Sequence, residues 1–110
     1  MSDQIDFETF KKVEIRMGKI LSAEKVADAD KLLKLQVDFG EFQRQIVSGI
    51  ALSYAPEEMV GKTLPFVINL EYRKFKGEES QGMLMATGSS QEDIVLLEPN
   101  KDVDAGAEVV

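Results

Sequence analysis

Three cations, Arg73, Lys74 and Lys76, are interleaved with two rings, Tyr72 and Phe75, inside the stretch 69–85. Cations beside flat rings suit a phosphate chain that carries unstacked bases, because the charge attracts the backbone and the rings stack on the bases. The same residues equally describe a solvated hairpin loop whose rings fold back over a core. An apolar run at 64–68 leads into the stretch and a second at 83–86 leads out, so an exposed loop between two buried strands is expected. Arg73 and Lys74 are adjacent behind a buried strand and cannot both point inward; phosphate contact is the expectation for the pair, with Lys76 a weaker member. Asn69 closes an otherwise apolar run, where an amide is costly to bury unless hydrogen-bonded. It either reads a ligand or ties down the loop backbone. Lys31 and Arg44 extend the patch if they share its face, and are otherwise solvated strand charges.

Other chemistry is excluded by what is missing. The chain of 110 residues has no cysteine and no histidine. That removes disulfides, thiolate metal sites, the commonest general base and the best zinc ligand. Carboxylates, lysines and tyrosines remain, so no catalytic, metal or cofactor site is expected. With 44% hydrophobic and 30% charged residues, one soluble globular domain over 1–110 is expected, without disorder. No apolar run is long enough to cross a bilayer, and the N-terminus lacks the regions of a signal peptide. The expected compartment is the cytoplasm, with no membrane partner. Met1 favours a free-standing chain, although a cloned piece of a longer one can begin the same way.

The net charge is −7, whereas a nucleic-acid binder is usually basic. The acidity is concentrated at the ends. Residues 1–8 carry three acids and no base, and residues 92–110 carry six acids against Lys101, which leaves 12 bases and 11 acids between them. Screening confines each field to about 8–10 Å at ordinary salt, so the middle can hold a local positive patch.

The elements that must position the patch read mostly as strands. Residues 13–17 alternate apolar and polar, and the phase breaks at Gly18, which suggests a bulge or bend there. Residues 27–31 read as a loop. Leu33, Leu35, Val37 and Phe39 alternate cleanly with polar residues, Gly40-Glu41 makes a turn, and 42–47 returns antiparallel. Residues 63–70, 82–87 and 94–97 are further strands, with a turn at 88–90 and a last short strand near the C-terminus. Two short helices punctuate the chain. One, at 6–12, is capped by Asp6 and has Phe7 and Phe10 facing inward to plug the core. The other, at 56–61, has proline in its first turn and Gly61 as its stop. Short strands at regular spacing with a glycine bend argue for a small closed or nearly closed β-barrel. The acidic tail matches no calcium loop, and its surplus of apolar residues suits a subunit interface.

Six blocks carry a family resemblance: Phe10-Lys-Lys-Val-Glu-Ile-Arg16, Ala29-Asp-Lys-Leu32, Val37-Asp-Phe-Gly40, Gln45-Ile-Val-Ser-Gly-Ile50, Pro56-Glu-Glu-Met-Val-Gly-Lys62, and Asn69-Leu70 with Arg73-Lys74 and Ser80-Gln-Gly-Met83. In this order and spacing the chain resembles the tRNA-binding domain attached to, or standing beside, aminoacyl-tRNA synthetases. The resemblance implies an all-β, five-stranded OB-fold barrel with short helices at the N-terminus and mid-chain. It implies binding to the outer corner of folded tRNA by shape and backbone, with Ser80 and Met83 at RNA-facing positions. It also implies a homodimer built by C-terminal segments and association with a synthetase, the methionyl enzyme foremost. Some family members are instead chaperone-like and bind peptides, which is the alternative. Two positions depart from the family pattern: Tyr72 stands where proline is usual, and Glu78 where an apolar residue is common.

Overall fold

Alternation buries one face of a strand, and the face containing Leu33, Leu35 and Val37 is fully buried at the centre of the molecule. The computed structural model describes residues 2–110. Strand β2 (Ala29–Asp38) pairs antiparallel with β1 (Ile15–Val26) and with β3 (Gln43–Ser48), while β1 also pairs with β4 (Thr63–Val67) and β4 with β7 (Met83–Leu84). The resulting five-stranded sheet has the order β3-β2-β1-β4-β7. Two small hairpins are added, β5 (Arg73–Phe75) with β6 (Glu78–Ser80), and β8 (Ala86–Gly88) with β9 (Ile94–Leu96). This is the all-β architecture expected, with short helices at the N-terminus and mid-chain.

The sheet curls until its edge strand β3 meets the segment that leads into β7, and the seam is unusual in its chemistry. In place of a continuous ladder, Gln81 N–H donates to Gln45 O (2.8 Å) and Gln81 Oε1 accepts from Gln45 N–H (2.9 Å). One register step along, Ser80 Oγ accepts from Val47 N–H at 3.0 Å. Side chains therefore satisfy the edge that a further strand would otherwise cover.

Four local expectations need correction. The bulge in β1 is not at Gly18: the strand runs through it, and the register with β2 shifts between Ile20 and Ser22, leaving Leu21 turned outward and 42% exposed. Gly18 serves close approach instead, since a Cβ there would lie 2.5 Å from Val37 Cγ1 and 2.7 Å from Phe39 Cε1. The loop expected at 27–31 shrinks to a two-residue turn, because Asp28 takes a left-handed φ of 59° and lets β2 begin at Ala29. The first strand begins at Ile15 rather than at residue 13, and Val13 is exposed. Helix α1 (Phe7–Phe10) is capped as expected, Asp6 Oδ1 accepting from Thr9 N–H at 2.8 Å, but it buries none of its residues. Phe7 and Phe10 are 69% and 49% exposed. Met59 of α2 (Pro56–Met59) packs into the core, fully buried. That helix is tied to the sheet by Gly61 N–H donating to Ile20 O at 2.8 Å.

The Gly18 contact is testable. Gly18→Ala forces its methyl group into Val37 and Phe39, both immobilised in the core, and is expected to lower the unfolding free energy by about 1–3 kcal/mol. Urea unfolding measures this, and a variant as stable as the wild type would show that the approach is not tight.

Candidate nucleic-acid interface

The cationic stretch is a hairpin and not an irregular loop. Strands β5 and β6 pair Arg73 with Ser80, Lys74 with Glu79 and Phe75 with Glu78. The turn between them has positive φ at both central residues, Lys76 (53°) and Gly77 (82°), the geometry that matches the twist of paired strands. Arg73, Lys74 and Lys76 are exposed. The Arg73 guanidinium lies 4.8 Å from the centroid of the Phe75 ring, so the ring is partly covered by its own cation.

Among the described residues, ion pairing engages Lys11, Arg16, Lys34 and Lys62 but none of the candidate cations. Arg16 pairs with Glu14, Lys62 with Glu98, and Lys34 with both Glu24 and Glu78, while Lys31, Arg44, Arg73, Lys74 and Lys76 take part in no ion pair among the described residues. Glu78, the acid at the atypical position, is thus held by Lys34 Nζ at 3.0 Å. The hydrogen bond to Glu24, followed by that to Glu78, pushes the Lys34 ammonium pKa up, which keeps it charged as a brace between the sheet and the hairpin. Its contribution is complete below the ordinary lysine pKa of about 10.4 and fades only as pH rises through the higher folded value.

The remaining candidates fall into distinct places. Lys31 is exposed on β2 and shares the rim of an open cleft of about 340 Å³ with Lys76, Asp28, Asp30 and Gln91, so the structure brings Lys31 to the hairpin tip. Met83 is 49% exposed and lines a small cleft with Leu70, Arg73 and Phe75. Asn69 does what its second reading required: its Oδ1 accepts from Glu14 N–H at 2.8 Å and its Nδ2 donates to Lys12 O, which extends the β1–β4 pairing with a side chain. Ser80 is only 4% exposed, and besides Val47 N–H its hydroxyl engages Gly82 O at 2.9 Å. It presents no free polar atom to solvent and fixes the base of the hairpin. Arg44 is half-buried, with Nη1 donating to Ile68 O (2.8 Å) and Gln81 O (3.0 Å), and its guanidinium is shared by the Phe42 and Tyr72 rings at 4.9 and 5.7 Å.

Sequence reasoning missed the glutamines. Gln36 Nε2 donates to Gln45 Oε1 and Gln45 Nε2 to Glu79 O, so a polar network runs from β2 across the seam to β6. The only local signal was polar residues on the outward face of two alternating strands, which describes any solvated sheet equally well.

A family model described as "Putative tRNA binding domain" matches residues 15–108. A methionine–tRNA ligase from Archaeoglobus fulgidus is 48% identical over 107 residues, which is 97% of this chain but 16% of the ligase. The chain thus spans less than a fifth of the length of the curated relative it matches. Among solved structures, a MetRS related protein from Pyrococcus horikoshii superposes with a TM-score of 0.92 at 40% identity, covering 99% of this chain and all of that one. The chaperone CsaA from Bacillus anthracis str. Ames superposes at 0.89 with 27% identity, covering 98% of this chain and all of that one.

Ser80→Ala separates a seam residue from a surface one. It strips the buried Val47 N–H of its acceptor and is expected to cost about 1–3 kcal/mol of stability, whereas Lys74→Ala on the exposed hairpin stays within about 0.5 kcal/mol. Equal denaturation midpoints for the two variants would contradict the seam.

Proposed function

The chain belongs to the tRNA-binding domain family, and from that premise we propose that it is a non-catalytic module that binds tRNA by shape and backbone and acts with an aminoacyl-tRNA synthetase, methionyl-tRNA synthetase foremost. One observation carries the reading: among the described residues Arg73, Lys74 and Lys76 stand exposed and without ion pairs on an ordered hairpin, while the acid Glu78 of that hairpin is engaged by Lys34. Together with Lys31, which shares a cleft with Lys76, they supply phosphate contacts, and Met83 an apolar contact beside Arg73. Arg44, Asn69 and Ser80 act by holding that surface in place. In an OB-fold barrel, loops and strand faces of this kind bind oligonucleotides. The absence of histidine and cysteine supports a role in holding RNA, with aminoacylation left to other parts of the ligase-sized relatives. The module acts as one domain over 1–110 and works in the cytoplasm, where tRNA is; no helix among the described residues is long and apolar enough to cross a membrane.

A homodimer completes the proposal. Ile5, Phe7, Phe10, Val13 and Val109 are all more than two-fifths exposed. Val109 N–H donates to Ile15 O at 2.9 Å, which brings the two chain ends together. A second copy covering this apolar surface would place two hairpins in one particle and raise the effective concentration of the second site once the first is bound.

The second reading is a peptide-binding, chaperone-like dimer. It is favoured by the likeness to chaperone CsaA and by the exposed Leu70, Tyr72 and Met83 next to the hairpin.

Titration of labelled tRNA at low salt tests the main reading. Arg73→Ala combined with Lys74→Ala is expected to weaken binding and to flatten the log–log salt dependence by about 0.7–0.9 for each phosphate that is no longer neutralised. Binding indifferent to both substitutions, or binding of unfolded peptide in place of tRNA, would transfer the role to the second reading. For the dimer, sedimentation equilibrium is expected to give twice the chain mass for the wild type and the single-chain mass for Phe7→Ser combined with Phe10→Ser. A wild type at the single-chain mass would dispose of it.

A further inference from the structure

Tyr72 is 51% exposed, yet its ring is held on a fixed support. The Arg44 guanidinium lies 5.7 Å from the ring centroid, and Arg44 is anchored by the carbonyls of Ile68 and Gln81. Behind Arg44 the contacts continue inward: Phe42 lies 4.9 Å from the guanidinium and stacks on Phe39 at 5.3 Å, and Phe39 is only 2% exposed in the core. A line of packed groups thus runs from the barrel interior to one half-open tyrosine ring. The ring's chain neighbours, Arg73 and Lys74, are exposed cations that make no ion pair among the described residues.

We propose that Tyr72 is a stacking platform for one unpaired nucleobase of the bound RNA, with Arg44 as the positioning residue that sets the ring. This rests on the tRNA-binding reading and adds a base contact at one particular ring to the phosphate and apolar contacts proposed above. Three physical points converge on it. A ring already immobilised by Arg44 loses little freedom when a base settles on it. A cation on one side of the ring leaves the remaining half of its surface to solvent, which is what a stacked base needs. Arg73 and Lys74 can hold the phosphates flanking the base, and a ring selects for flat π faces without choosing among bases. Leu70 and Met83, 44% and 49% exposed, provide an apolar rim near the hairpin.

Affinities for a labelled oligouridylate, and for an abasic ribose-phosphate strand of equal length and charge, test the platform on the full chain. Tyr72→Leu is expected to weaken oligouridylate binding about tenfold, with Tyr72→Phe within about twofold of the wild type, because stacking survives in phenylalanine. Affinity for the abasic strand is expected to be the same for all three proteins. The platform is overturned if Tyr72→Leu binds oligouridylate like the wild type, if it loses the abasic strand equally, or if the wild type binds both strands alike. A wild type that binds tRNA but not oligouridylate also overturns the platform while leaving the tRNA reading intact. A wild type that binds neither overturns both.

Discussion

A curved sheet must dispose of its edges, and here that is done at one seam on which the functional surface depends. The backbone N–H and C=O of Gln45 and the N–H of Val47 face outward from β3, where no strand ladder continues the sheet. Gln81 and Ser80 satisfy them. Leaving such groups unpaired in the interior is expensive, of the order of 1–3 kcal/mol for each buried donor, so the segment at 80–82 has little freedom to move. The β5–β6 hairpin ends in that segment. Its cations therefore inherit the rigidity of the barrel, although they lie on its surface.

Electrostatics follows from the same arrangement. An overall charge of −7 would defeat a diffuse attraction for phosphate, but two acids of the hairpin itself are engaged by other side chains. Glu78 is engaged by Lys34 from β2, and Glu79 accepts from Gln81 Nε2 at 3.1 Å. Acidic residues of the C-terminal region, Glu98, Asp102 and Asp104, line a separate cleft of about 660 Å³ with Lys19 and Lys101. Arg73 and Lys74 make no ion pair among the described residues, although Glu71 and Glu79 lie close to them. Net charge is a poor guide to a molecule whose charges are sorted in space.

Arg44 shows how one side chain can serve two levels of structure. Its guanidinium reaches from β3 across the seam to the carbonyls of Ile68 and Gln81 and also presents a face to Tyr72. Arginine can do both at once because its planar fork donates in the plane and stacks out of it. A lysine at the same place would supply a charge without the geometry.

Alternation alone determined much of this protein: the buried face of β2, its return along β3, the turn at Gly40 and the proline-led helix ahead of Gly61 all follow from side-chain period and backbone restriction, which act between near neighbours. The exposed, cation-bearing hairpin was legible for the same reason. Tertiary structure decided what depended on residues far apart. Which carboxylate meets Lys34, whether Asn69 and Ser80 face a ligand or a backbone, and whether Gly18 bends or makes room were settled between residues 19 to 55 positions apart. Phe7 and Phe10 have the spacing of inward residues yet stay exposed, while Met59 of the mid-chain helix is fully buried. A pattern states which residues can share a face; only the closed packing of the sheet states what that face meets.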